Sequence, residues 1–145
     1  MIRFYYGENG EGKLVRDTLD EKIRSEKHFV KTRSLDKNDL AGEIINKLPE
    51  EINELKDALS SGIEADEKEE LADVLTLIGS YAVVRGFEMD EINEIMKNKT
   101  VKKGAFEKGT YIEYVDLNPK GDDYEFWLKH FRDNSDRYIE EEINE

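Results

Sequence analysis

The 145-residue sequence contains no cysteine, only two prolines and no long run of apolar residues. Without cysteine, the chain cannot form a disulfide, a thiolate nucleophile or a zinc site built on thiolates. Without an apolar stretch of about twenty residues, it offers no candidate membrane span. The start, Met1 to Tyr6, is too short and too aromatic for a signal peptide. We therefore expect a cytoplasmic protein.

Positive charge is also scarce, because 22 lysines and arginines stand against 35 aspartates and glutamates, for a net charge of −13. This balance argues against a nucleic-acid backbone or an anionic membrane as the partner. It does not exclude a nucleotide that arrives with Mg²⁺, because the metal reverses the local field. The length fits one domain, or a protomer that completes its core by association.

Two acidic segments stand out between Lys47 and Leu77. Glu50 to Glu54 lies in one segment with apolar residues at helical spacing, and Glu70 to Asp73 lies in a second segment of the same kind. Ser60-Ser61-Gly62 separates them as a helix stop. A connection this short predicts two antiparallel neighbouring helices.

The spacing of the acids predicts a metal site. Glu51 and Glu54 are three residues apart, as are Glu70 and Asp73, so each pair lies on one helix face. Glu70 falls inside the apolar stripe of its helix, where a carboxylate is costly unless it is paired or bound to a metal. Oxygen ligands alone suit Mg²⁺ or Mn²⁺ rather than Zn²⁺. The alternative is a helical hairpin of an acidic protein, with carboxylates that are merely solvated.

Lys47 to Leu55, followed by Glu69 to Leu75, resembles the metal motif of the all-α nucleoside triphosphate pyrophosphohydrolases. That superfamily includes MazG, the dimeric dUTPases and phosphoribosyl-ATP pyrophosphohydrolase. The resemblance implies that the two acidic pairs hold Mg²⁺ and that the enzyme cleaves between the α and β phosphates. Glu50, one helical turn before Glu54, is then the candidate to position the attacking water or to support the metal shell.

Lys13 to Asp17 resembles the K-L-V-R-D opening of one branch of the same superfamily. Asp17 is a candidate helix N-cap, which would put Lys13 and Arg16 where a helix start favours phosphate. Gly104 to Lys108 resembles the family's G-G-F-E-K stretch, and basic and amide side chains before that stretch help to hold the triphosphate in the family. The candidates for phosphate contact are Lys13, Arg16, Lys47, Asn98, Lys102 and Lys103, although each could be an ordinary surface side chain.

A P-loop is the competing reading of the N-terminal glycines, since Gly7, Gly12 and Lys13 have Walker A spacing. Leu14, however, stands where a serine or threonine must reach Mg²⁺. We therefore read this stretch as a flexible turn.

The sequence predicts an all-α fold, an antiparallel bundle of four or five helices with a small two-stranded appendage. Asp36 is a candidate N-cap for a helix from about Lys37 to Leu59, and Met89 to about Lys103 reads as a further helix. We expect one MazG-like domain over residues 1–145, with a core at 13–108 and a C-terminal strand and short helix at 110–138. The strand is predicted from the alternation of Thr110 to Val115. The helices offer more apolar faces than one small bundle covers, so we expect a homodimer or a higher homo-oligomer.

The function expected from the motif is Mg²⁺-dependent hydrolysis of a nucleoside triphosphate, or a related nucleotide, to the monophosphate and pyrophosphate. Phosphoribosyl-ATP pyrophosphohydrolase activity is the nearest enzymatic alternative. A non-catalytic nucleotide sensor or dimerisation module on the same scaffold is the alternative from another class.

Overall fold

The computed structural model describes residues 1–143, which contain five helices and no strand. The all-α prediction is confirmed. The chain divides into two compact units, Met1–Lys103 and Gly104–Glu145. In chain order the helices are α1 (Leu19–Ser25), α2 (Lys37–Ser61), α3 (Glu64–Arg85), α4 (Met89–Lys103) and α5 (Tyr124–Asp133).

None of these helices combines the length and the apolar character that crossing a membrane requires.

The centre of the first unit is a hairpin of α2 and α3. Asp36 caps α2, because its side chain accepts a hydrogen bond of 2.9 Å from the backbone N–H of Asp39. Gly62 ends α2 in the left-handed conformation (φ 71°), and its N–H donates to the carbonyls of Ala58 and Leu59. Only Gly62 and Ile63 separate the two helices. The predicted cap, stop and antiparallel turn are therefore all present.

The packing of α2 against α3 buries a narrow seam of mainly small side chains. In α2 the seam follows a seven-residue spacing through Ile44, Glu51 and Ala58, which places these residues on one helix face. From α3 it takes Val74 and Ala82. One of the most buried residues at the centre of this unit is thus a carboxylate, and that makes the seam a site as well as a core.

Much of the apolar stripe expected from the sequence lies outside this seam. Ile52, Leu59, Leu71 and Ile78 are all classed among the exposed large hydrophobic residues. In residues 1–143, α2 against α3 is the only helix pair with extensive packing. Of the antiparallel bundle of four or five helices predicted from the sequence, the described part of one chain therefore contains only this two-helix hairpin.

The prediction of a two-stranded appendage is wrong for the part of the chain that the structure describes. Residues 110–115 are irregular and exposed, and no strand occurs in the part of the chain that the structure describes. Alternating side chains make a strand only where a partner completes the ladder of backbone hydrogen bonds. The extended stretches that could have paired with it, residues 1–6 and 14–15, are irregular as well.

The start of α1 also differs from the prediction. The helix begins at Leu19, so Thr18 and not Asp17 occupies the cap position, and neither side chain caps it. A turn precedes the helix, closed by a 3.1 Å hydrogen bond from the N–H of Leu19 to the carbonyl of Arg16. This turn engages the N–H of Leu19, which is one of the backbone groups that a cap at Asp17 would have bound.

The second unit is built around α5 and an aromatic cluster. Trp127 stacks against Phe131 at 6.1 Å, and Phe131 meets Tyr138 edge to face at 4.8 Å. Arg132 binds Glu140, which lowers the pKa of that carboxyl. The short helix expected within residues 110–138 is therefore present, and its aromatic side chains pack on one another.

Candidate metal centre

Three carboxylates from the two hairpin helices converge. Glu51 comes from α2, while Glu70 and Asp73 lie one turn apart on α3, and one ligand oxygen from each lies within 4.8 Å of the others. This set, Glu51, Glu70 and Asp73, is the acid cluster. Carboxylate oxygens grouped at this spacing are the donor set that hard divalent cations such as Mg²⁺ and Mn²⁺ take.

Burial distinguishes the acid cluster from a solvated acidic surface. The Glu51 side chain is only 8% exposed, and its Oε1 lies 3.1 Å from Lys47 Nζ. The second oxygen of Glu51 and one oxygen of Glu70 are buried without any hydrogen-bond partner in residues 1–143. A buried carboxylate oxygen without a partner is costly. These two oxygens therefore fit a bound cation.

The electrostatics of Glu70 agree with this interpretation. Desolvation raises the pKa of Glu70, and the nearby charges of Asp73 and Glu51 raise it further. Like charges this close cannot all stay ionised cheaply, so the site gains when it takes up a positive charge.

Glu54, the fourth predicted ligand, is one turn beyond Glu51 and lies outside the acid cluster. It is exposed and lines an open groove of about 440 Å³ together with Glu70, Asp57, Asp66 and Glu69. Desolvation of its carboxyl raises the pKa of Glu54, and Glu51, Glu70 and Glu50 add to the effect. Glu54 thus faces the open side of the site.

Glu50 is held between two cations. It accepts a hydrogen bond from Lys13, and its Oε2 is 3.6 Å from Lys47 Nζ. The bond from Lys13 lowers the pKa of Glu50, and the same pair raises the pKa of Lys13. Glu50 is therefore ionised at neutral pH, which a proton-accepting role requires.

The N-terminal cations reach the hairpin from far along the sequence. Lys13 donates to Glu50, and Arg16 donates to Asp73, a separation of 57 positions. The sequence predicted phosphate contact for both cations and did not predict that they pair with the acids of the site. Charge complementarity is the signal that favours such pairs, but it does not by itself indicate which acid a given cation binds.

The remaining predicted phosphate contacts are not brought to the site. Asn98, Lys102 and Lys103 are exposed on α4. Within residues 1–143 they make no side-chain hydrogen bond or ion pair with the carboxylates of α2 and α3. Lys47, by contrast, lies at the site and holds Glu51.

Residues 41–104 match the family model of the MazG nucleotide pyrophosphohydrolase domain. No curated protein and no solved structure matches the chain. The matched stretch covers somewhat less than half of the sequence and includes the whole α2–α3 hairpin from Ala41 onward, with the acid cluster. For this stretch the predicted resemblance to the MazG-like all-α superfamily is confirmed.

Proposed function

From the match of residues 41–104 to the MazG nucleotide pyrophosphohydrolase domain, we propose that this protein hydrolyses a nucleoside triphosphate between the α and β phosphates. The products are the nucleoside monophosphate and pyrophosphate, and the reaction depends on Mg²⁺, with Mn²⁺ as a substitute. The observation that carries the proposal is the acid cluster inside the matched stretch, with two buried carboxylate oxygens that have no partner in residues 1–143. The position of the cleaved bond comes from the family resemblance.

Glu51, Glu70 and Asp73 would hold the metal, and Glu54 would join them from the groove side. When bound, Mg²⁺ neutralises the polyphosphate and lowers the pKa of a bound water. Because Lys47 occupies Oε1 of Glu51, the Oε2 atom of that residue remains for the metal.

Glu50 is the candidate to orient the attacking water. The hydrogen bond from Lys13 lowers the pKa of Glu50 and keeps it ionised, so its carboxylate can accept a hydrogen bond from the water. It shares a cation with the acid cluster, since Lys47 Nζ lies 3.6 Å from Glu50 Oε2 and 3.1 Å from Glu51 Oε1.

The phosphates need positive charge in an acidic protein. Lys13, Arg16 and Lys47 already lie at the acids of the hairpin. Asn98, Lys102 and Lys103 are exposed on α4, and the family resemblance alone makes them further candidates for phosphate contact. Ammonium and guanidinium groups around the triphosphate would stabilise the charge that develops on the departing pyrophosphate.

The protein is proposed to act as a homodimer or a higher homo-oligomer. Each hairpin helix keeps a row of exposed apolar residues: Ile45, Ile52 and Leu59 on α2, and Leu71, Leu75 and Ile78 on α3. Two hairpins that cover these rows on each other would make the antiparallel four-helix bundle expected from the sequence.

Phosphorus NMR of the reaction tests the function. A panel of ribo- and deoxyribonucleoside triphosphates with Mg²⁺ should include at least one that yields pyrophosphate and a monophosphate. Asp73→Asn should reduce that turnover at least about 100-fold, because it removes a ligand charge from the site. Glu64→Gln is the matched control, since it neutralises an exposed acid on the same helix. Formation of inorganic phosphate and a nucleoside diphosphate would overturn the proposal.

A further inference from the structure

Residues 13–16 carry two cations to the acids of the hairpin, and these residues are here called the strap. Lys13 binds Glu50, and Arg16 binds Asp73 through Nη2 and Oδ1. The strap has no regular secondary structure. The side chains of Lys13 and Arg16 tie it to the acids of the hairpin, and Leu14 and Val15 between them are half-buried.

The strap pairs differ from the third cation of the site in their exposure. The side chains of Arg16 and Asp73 are 62% and 33% exposed, whereas that of Lys47 is 18% exposed. Ion pairs open to solvent contribute little net free energy. Arg16 can therefore leave Asp73 at low cost, while Lys47 is a fixed counter-charge of Glu51.

Asp73 belongs at the same time to the acid cluster, whose three residues are the proposed metal ligands. A guanidinium on Oδ1 of Asp73 takes one of the two ligand oxygens of that residue. It also places a positive charge where a second positive charge must arrive. Two positive charges that share one carboxylate repel each other.

We propose that Arg16 and the divalent cation compete for Asp73, so that the strap releases this carboxylate when the metal binds. The released Arg16 then binds the phosphates of the substrate. This inference rests on the proposed function. Arg16 then has two alternative anionic partners, Asp73 and the phosphates of the substrate. Metal binding releases it from the first and makes it available to the second.

The chemistry of the side chain suits the second partner. Guanidinium has five donors in a planar fork and binds phosphate oxygens in pairs. Once its hydrogen bond to Asp73 is lost, the side chain, already mostly exposed, can turn toward a polyphosphate held at the acid cluster. Release from the carboxylate and binding of the phosphate thus favour each other.

Two binding measurements with opposite expected signs test the exchange, and neither uses turnover. Titration calorimetry with Mn²⁺ alone should show Arg16→Gln binding roughly threefold to tenfold more tightly than the wild type, because the competing cation is gone. Titration of the Mn²⁺-saturated proteins with inorganic triphosphate should show Arg16→Gln binding more weakly than the wild type by a similar factor. A general loss of structure would weaken both.

The controls separate the exchange from the metal site itself. Lys68→Gln removes one positive charge from an exposed pair on α3 and should change neither affinity by more than about twofold. Arg16→Lys keeps the charge but not the fork, so its Mn²⁺ affinity should stay near that of the wild type.

Two outcomes distinguish a failure of the metal site from a failure of the exchange. If Asp73→Asn binds Mn²⁺ as well as the wild type does, the proposed metal site is wrong. If Asp73→Asn loses Mn²⁺ binding but Arg16→Gln binds Mn²⁺ as tightly as the wild type or more weakly, the metal site stands and the exchange is overturned.

Discussion

Lys47 Nζ lies 3.1 Å from Glu51 Oε1, one helical turn along α2, and both side chains are largely buried. The other oxygen of Glu51 has no partner among the described residues. The pair therefore satisfies one oxygen of a buried carboxylate that also belongs to the acid cluster, and it leaves the other oxygen available. Lys47 acts as the permanent counter-ion that makes it possible to bury Glu51 at the centre of the seam.

We predict that Lys47→Gln destabilises the protein when no divalent cation is present. Removing one partner of a largely buried ion pair leaves the other charge uncompensated, which here should cost about 1–3 kcal/mol of the free energy of unfolding. Urea denaturation in the presence of a chelator measures it. In the double variant Lys47→Gln/Glu51→Gln most of the loss should disappear, because no buried charge is left without its counter-ion. A double variant as unstable as the single one would contradict this role.

Divalent cations should stabilise the folded protein through the acid cluster. Mg²⁺ or Mn²⁺ binds the native state, and at one hundred times the dissociation constant it adds about 2.7 kcal/mol to the free energy of unfolding. The melting temperature of the wild type should therefore rise with either metal in the millimolar range. Glu51→Gln and Asp73→Asn should lose most of this rise, whereas Glu64→Gln should keep it. No rise for the wild type would count against the site.

The N-cap of α2 should contribute measurably to stability. Asp36 accepts the hydrogen bond of the Asp39 N–H at the start of the helix that carries Glu50 and Glu51. Asp36→Ala should therefore lower the free energy of unfolding by about 1 kcal/mol, as cap removal usually does. Asp36→Ser, which keeps an oxygen acceptor, should lose less than half of that. Equal stability of all three proteins in urea would show that another group takes over the cap.

Local signals in the sequence were enough to place the hairpin. Asp36 predicted the start of α2 and Gly62 its end, because caps and left-handed glycines act within one turn of the chain. The position of Glu70 inside an apolar stripe predicted that it faces inward, and one of its oxygens is buried. Periodicity and capping are both read from neighbouring residues, and the structure has them in the hairpin, although the cap predicted at Asp17 is absent.

Contacts between distant residues were not predictable in the same way. Arg16 reaches Asp73 and Lys13 reaches Glu50, but a chain with 35 acids offers each cation many partners of equal chemistry. The strand at residues 110–115 was wrong for a related reason, since alternation describes one segment and a strand needs a second. The apolar periodicity likewise predicted a buried stripe on each helix, but most of these residues lie outside the α2–α3 seam.

The exposed apolar rows of the hairpin lead to a prediction about assembly. Leu75 on α3 is 59% exposed although it lies among the aliphatic residues of that helix, and the apolar rows on α2 and α3 exceed what single exposed residues explain. We therefore expect the wild type to sediment as a dimer or larger species at micromolar concentration.

Leu75→Glu should shift the protein toward the monomer, because a charge buried against a second apolar row lacks a partner. Phe29→Glu is the control, because Phe29 is an apolar residue outside the helices that is 89% exposed, and this variant should sediment like the wild type. Circular dichroism must show both variants helical, since an unfolded Leu75→Glu would also fail to associate. A wild type that sediments only as the monomer would overturn the proposed assembly.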